Sequence, residues 1–112
     1  MRDQQNLSVT PQSRKASNRI FFWRLKMDLI KVSAASRTAA VAGAIAGIVR
    51  QNKHAEVQAI GAGAVNQAVK ALILATGYLK NDGIHIRFVP EFADVSIGDK
   101  VRTAIKFVID PH

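Results

Sequence analysis

The stretch Gln58-Ala59-Ile60-Gly61-Ala62-Gly63-Ala64-Val65-Asn66-Gln67-Ala68-Val69-Lys70-Ala71 decides the fold. From Ala55 to Ile60 polar and apolar residues alternate, the period of a half-buried strand. Gly61-Ala62-Gly63 then breaks the alternation. Over residues 64–79 the apolar residues recur at helical spacing, with Val65, Val69, Leu72, Ile73 and Leu79 as the expected buried stripe. A strand that turns through glycines straight into a helix is half of a strand–helix–strand unit.

The same pattern repeats upstream. Residues 29–34 (Leu-Ile-Lys-Val-Ser-Ala) read as a strand, and Ser36 or Thr38 as the N-cap of a helix over residues 38–51. That helix carries Val41, Ile45, Ile48 and Val49 on one stripe, and Ala39, Gly43 and Gly47 on a second that is expected to approach the sheet closely. Its apolar run, 39–49, falls well short of the roughly 20 residues a membrane span needs. Downstream, Asn81-Asp82-Gly83 marks a turn. Residues 84–89 alternate as a third strand closed by Pro90. Residues 91–100 read as a connection containing a hairpin end at Ile97-Gly98-Asp99, and residues 101–109 as a fourth strand ended by Pro111. The order βαβαββ defines an α+β two-layer sandwich: a four-stranded mixed sheet with two helices on one face, joined by right-handed crossovers.

Strand parity then sorts the side chains. Ile30, Val32, Val57, Ala59, Ile84, Ile86, Phe88, Val101, Thr103, Ile105, Phe107 and Ile109 are expected to face the helices. The opposite, uncovered face holds Lys31, Arg87, Arg102 and Lys106, with Glu56 as its acid. Such charges also guard a sheet against edge aggregation, but the collective bias points to an anionic ligand or a partner protein.

The 112 residues make one domain, and 48% hydrophobic with 21% charged residues is ordinary globular usage. The net charge of +8 favours nucleic acid as partner. The chain has no cysteine, which excludes disulfides, thiolate metal sites and Cys nucleophiles. His54, His85 and His112 are too scattered for a histidine-rich metal site, and no spacing of acids or nucleophiles marks a catalytic centre. The sequence therefore calls for no cofactor and no metal, and catalysis leaves little trace in it. Residues 1–26 hold six bases against one acid, the remainder ten against seven. Positions 1–19 lack apolar periodicity and read as disordered. The segment has no secretory-signal pattern, although its Arg- and Ser-rich, acid-poor character has a faint transit-peptide flavour. Because Met27 is followed at once by a strand, residues 1–26 are expected to be a disordered or non-native extension, and 27–112 the folded domain.

Gly61-Ala62-Gly63-Ala64-Val65-Asn66 is a broken dinucleotide fingerprint, with Asn66 in the place of the third glycine. A chain this short also lacks a second mononucleotide half. Amides near Gly63 at a helix start, with Asn66 and Lys70 one turn apart, would instead suit a backbone phosphate or a small phosphorylated ligand.

The segments Leu29–Ala34, Val41–Gly47, Gln58–Ala71 and Arg102–Lys106 closely resemble the stage V sporulation protein S family, over Met27–Pro111. The resemblance implies an Alba-like fold, a bacterial cytoplasmic protein of sporulation and development, nucleic-acid (DNA or RNA) binding without enzymatic activity, and a homodimer. It also implies nucleic-acid contacts by the loop after strand one, Ser33–Thr38, and by the hairpin, Glu91–Val101. The chain departs from the family where Ala35 and Thr76 replace a frequent lysine and arginine, and in the acidity of Glu91, Asp94 and Asp99 beside Lys100. Together these readings nominate Lys31, Arg37, Gly63, Asn66, Gln67, Lys70, Arg87, Arg102 and Lys106 as nucleic-acid contacts. A developmental protein partner docking on the same sheet face, or on the second helix beside Leu74, is the alternative.

Overall fold

In the computed structural model, which describes residues 28–112, the elements run β1 (Leu29–Val32), α1 (Thr38–Asn52), β2 (Ala55–Ala59), α2 (Ala62–Lys80), β3 (Ile86–Ile97) and β4 (Lys100–Pro111). The expected extension, residues 1–26, lies outside the described residues. The sheet order is β1-β2-β4-β3. β1 and β2 are parallel, β4 runs antiparallel to both its neighbours, and the sheet is therefore mixed. α1 and α2 pack on each other and on the sheet.

The core is built from small residues. Ala42, Ile45, Ala46 and Val49 are the buried positions of α1, and Ala64, Ala68, Ala71, Leu72, Ala75 and Leu79 those of α2. Val32, Ala55, Val57, Ala59, Phe107 and Ile109 meet them from the sheet. Phe88 and Phe107, diagonal neighbours on β3 and β4, pack edge to face with ring centroids 6.4 Å apart. The expected stripe on α2 is thereby corrected. Val65 and Val69 are only half-buried, and Ile73 is 61% exposed. Alanine takes the contact positions because the helices lie close to each other and to the sheet, leaving larger side chains to the margins. The Ala39–Gly43–Gly47 stripe does not touch the sheet either. Ala39 and Gly43 are exposed, and a Cβ added at Gly43 or Gly47 would meet nothing within 4 Å.

Strand three also differs from expectation. Pro90 does not close it; β3 continues through Pro90 for 12 residues in all. The His112 N–H donates to the His85 carbonyl, which makes residues 85 and 112 a hydrogen-bonded pair. Counting along the antiparallel register from there puts Pro90, opposite Phe107, at a non-hydrogen-bonded position. The N–H that proline lacks would point outward from an edge strand, so the ladder loses nothing. The supposed connection 91–100 is accordingly strand on both sides of a two-residue turn, Gly98-Asp99. Gly98 has φ +63°, the conformation that a first central turn position with glycine supplies in a tight hairpin.

Only Ile105–Ile109 of β4 pair with β2. Ala93–Ile97 and Lys100–Ala104 therefore form a two-stranded arm projecting beyond the end of β2. Val101 and Thr103 share the parity of the core-facing residues but are exposed, Val101 by 67%, because the arm outruns the helix layer. On the uncovered side the arm bends back: Val95, Ser96 and Ile97 line a cavity of about 370 Å³ whose other walls include Lys31, Ser33, Ala34, Gln58 and Ile60.

Candidate nucleic-acid interface

Three surfaces receive the nine nominated residues. Lys31, Arg87, Arg102 and Lys106 stand by parity on the sheet face away from the helices. Arg37, Gly63 and Gln67 belong to the end of the sheet where β1 and β2 hand over to their helices. Asn66 and Lys70 are exposed on α2, in the helix layer.

On the uncovered face the longer β3 and β4 add acids that the sequence pattern did not place there. Glu91 lies opposite Lys106, and Asp110 opposite Arg87. Lys106 Nζ sits 3.5 Å from Glu56 Oε1 and 3.6 Å from Glu91 Oε1. It is committed to two carboxylates. Lys31, Arg87 and Arg102 are exposed and have no carboxylate within ion-pair distance among the described residues. Of these bases Arg102 stands on the arm, two residues after Lys100, whereas Lys31 lies on β1 and Arg87 near the start of β3. Asp99 in the turn and Asp94 on the other side of the arm are the local acids.

The loop between β1 and α1 is organised by two serines. Ser33 N–H donates to Ser36 Oγ (2.9 Å), Ala35 N–H to Ser33 Oγ (3.2 Å) and Ser36 N–H to the Ser33 carbonyl (3.1 Å). Ser36 is thus turned inward on the loop and does not cap α1. The N-cap is Arg37, in extended conformation and without a side-chain cap bond. Its guanidinium is free to point to solvent, and Arg37 is exposed.

Gly61 (φ +93°, ψ 157°) is the N-cap of α2, a backbone geometry that glycine alone adopts readily. Helix begins at Ala62, so Gly63 lies in its first turn rather than in the loop. A Cβ at Gly63 would stand 2.9 Å from the Ala34 Cβ. The glycine is required for close packing of α2 on the β1–α1 loop. Gln67 serves the same junction: its Nε2 donates to the Ser36 carbonyl at 2.8 Å and to Thr38 Oγ1 at 3.2 Å. The side-chain amide is spent inside the protein.

Around the start of α2 a second groove, of about 640 Å³, is lined by Ala59, Gly61, Val65, Asn66, Phe92 and Ile105 among others. Phe92 is 79% exposed. The sequence leaves Phe92 outside the core, as found, but does not show the groove, because Phe92 falls in a segment that reads as a connection.

His54 was also missed as a structural group. Its Nδ1 lies 2.7 Å from Asp110 Oδ1 and its Nε2 3.1 Å from Glu56 Oε2. The hydrogen bond to Asp110 raises its pKa above the ordinary histidine value; partial burial opposes this, and Glu56 reinforces it. Among the described residues no group of three or more His, Asp or Glu is arranged to hold a metal ion, and no helix is long and apolar enough to cross a membrane.

A two-layer α+β domain without a helix layer on one sheet face, whose hairpin arm bends back over one end of that face, defines the class. The stage V sporulation protein S family profile matches residues 28–112. The chain belongs to that family, which carries a sporulation-related role.

Proposed function

We propose that the chain is a non-enzymatic regulator of sporulation or development that binds the phosphate backbone of DNA or RNA in the cytoplasm. The observation that carries this reading is the set of exposed bases without carboxylate partners, among the described residues, on the uncovered face and its arm: Lys31, Arg87 and Arg102. Arg37, at the β1–α1 loop, extends the cationic rim, and Lys70 lies on α2 as an outlying contact. Lys106 acts from within its carboxylate cradle. Such contacts position a duplex without reading bases, and they release counterions.

The test is a mobility-shift series with purified full-length protein, DNA and RNA across salt. Affinity is expected to fall steeply with salt, and Arg87→Ala with Arg102→Ala to flatten the slope by about two, one for each phosphate no longer neutralised. Salt-independent binding counts against the reading.

The protein acts as a homodimer in this proposal. Ile73 (61% exposed) and Phe92 are large apolar side chains in open solvent, and the groove beside Phe92 has an apolar lining of Val65, Val69 and Ile105. A second copy would cover that surface. The same exposed residues, with Leu74 and Tyr78, favour a second reading in which a developmental protein docks there instead. A pull-down that survives nuclease treatment, together with a monomeric mass in solution, would select it.

A further inference from the structure

His54 follows Lys53, whose left-handed conformation (φ +60°) ends α1 and turns the chain into β2. The ring is held between two carboxylates on different strands, Asp110 of β4 and Glu56 of β2. Ionised carboxylates only accept hydrogen bonds, and a neutral imidazole has a single N–H to donate. Both contacts are attractive together only when both ring nitrogens carry protons. Glu56 is shared further: its Oε2 meets His54 while its Oε1 meets Lys106. Lys106 in turn reaches Glu91. A row of alternating charges, Asp110, His54, Glu56, Lys106 and Glu91, therefore runs over the face away from the helices, from the end of β4 to β2, back to β4 and on to β3.

We propose that His54 is a proton-operated switch on this face: protonated, it shares Glu56 with Lys106 and occupies Asp110, leaving the face cationic; deprotonated, it leaves Glu56 to Lys106 alone and weakens the hold on a polyanion. The switch rests on the polyanion reading given above. On losing its proton the ring keeps one donor. The shorter contact, to Asp110, retains it, so Glu56 becomes a carboxylate with one partner fewer. Glu56 then competes with phosphate for the Lys106 ammonium, and the face loses one positive charge. By linkage, a polyanion that prefers the protonated form also stabilises that proton.

Other charged groups face the same region. β4 contributes Asp110 and Lys106, β2 Glu56, and β3 Arg87 and Glu91 by register. Lys31 of β1 pairs with Gln58, two residues from Glu56. Lys53 and Arg50 come from the end of α1, with Arg50 engaged by Asp82. His85 and His112, the two other histidines of the domain, form the register pair next to Arg87 and Asp110. The experiment therefore compares variants rather than relying on the wild-type profile.

Full-length wild type, His54→Gln and Glu56→Gln are titrated with a short random-sequence DNA duplex and its RNA counterpart at fixed salt from about pH 5.5 to 8.5, spanning histidine titration. Nitrogen-detected NMR follows the His54 ring in parallel. The His54 midpoint is expected above 6.5. Wild-type affinity is expected to fall about three- to tenfold more than that of His54→Gln as the pH passes this midpoint, equivalent to half to one pKa unit displaced by binding. Glu56→Gln, which has no carboxylate to release, should bind more tightly above the midpoint and show a flattened profile. A His54 midpoint at or below that of free histidine overturns the switch. So do identical pH profiles in wild type and both variants, while the polyanion reading stands. Absence of binding at every pH overturns the polyanion reading and the switch with it.

Discussion

Gln67, on the second turn of α2, donates its side-chain amide to the carbonyl of Ser36 on the β1–α1 loop, 2.8 Å away. This bond, with a second to Thr38 Oγ1, joins the start of one helix to the start of the other. Gln67→Ala leaves the Ser36 carbonyl without this partner and is expected to lower stability by about 1–2 kcal/mol. Urea unfolding of the variant checks the magnitude, and faster amide exchange over residues 33–38 checks the location.

Gly63→Ala is expected to destabilise, against the usual benefit of alanine over glycine in a helix. The added methyl would stand 2.9 Å from the Ala34 methyl, which has no rotamer by which to move aside. Overpacking of this kind costs about 1–3 kcal/mol. Ala34→Gly in the same chain should recover most of the loss, and a double-mutant cycle measures that coupling.

Stability should itself depend on pH through His54. The folded pKa is raised, by Asp110 first and Glu56 second. The stabilisation is therefore complete below the unfolded histidine value, near 6.5, and is lost as pH rises through the higher folded value. Denaturation midpoints of wild type should decline across that interval. His54→Gln should abolish this component.

Pro90 occupies an outward-facing position on the edge strand β3. Pro90→Thr restores a donor to that edge without touching the β3–β4 ladder. Stability is expected to change by no more than about 0.5 kcal/mol, while concentration-dependent association increases, since an edge N–H row invites strand pairing. Sedimentation at several concentrations distinguishes the two effects.

The element order and the inward sides of the strands were legible because alternation and turn residues are local signals. Ile105, Phe107 and Ile109 do face the core. The helix interiors were less legible. Hydropathy ranks Ile73 above Ala68, yet Ala68 is buried and Ile73 exposed. How closely two helices lie is set by their joint packing, which no single segment announces. Pro90 misled for a related reason: whether proline ends a strand depends on edge position and hydrogen-bond parity, both properties of the assembled sheet. The candidate site suffered most. Parity placed Lys106 and Arg102 on one face, but the partners of Lys106 come from β2 and β3 and were fixed only by register. Gly63 and Gln67 carried a recognisable motif whose purpose here is joining two helix starts. The pattern of residues could not distinguish a donor aimed at a ligand from one aimed at the chain.

The alanines that fill the interior have a thermodynamic corollary. Among the described residues nine of the seventeen buried apolar side chains are alanine, a side chain with no rotamers to freeze when the chain orders. Less hydrocarbon is also withdrawn from water than in a leucine-rich interior of equal residue count. The heat-capacity increment on melting should be correspondingly small, giving a shallow stability curve whose hot and cold limits lie far apart.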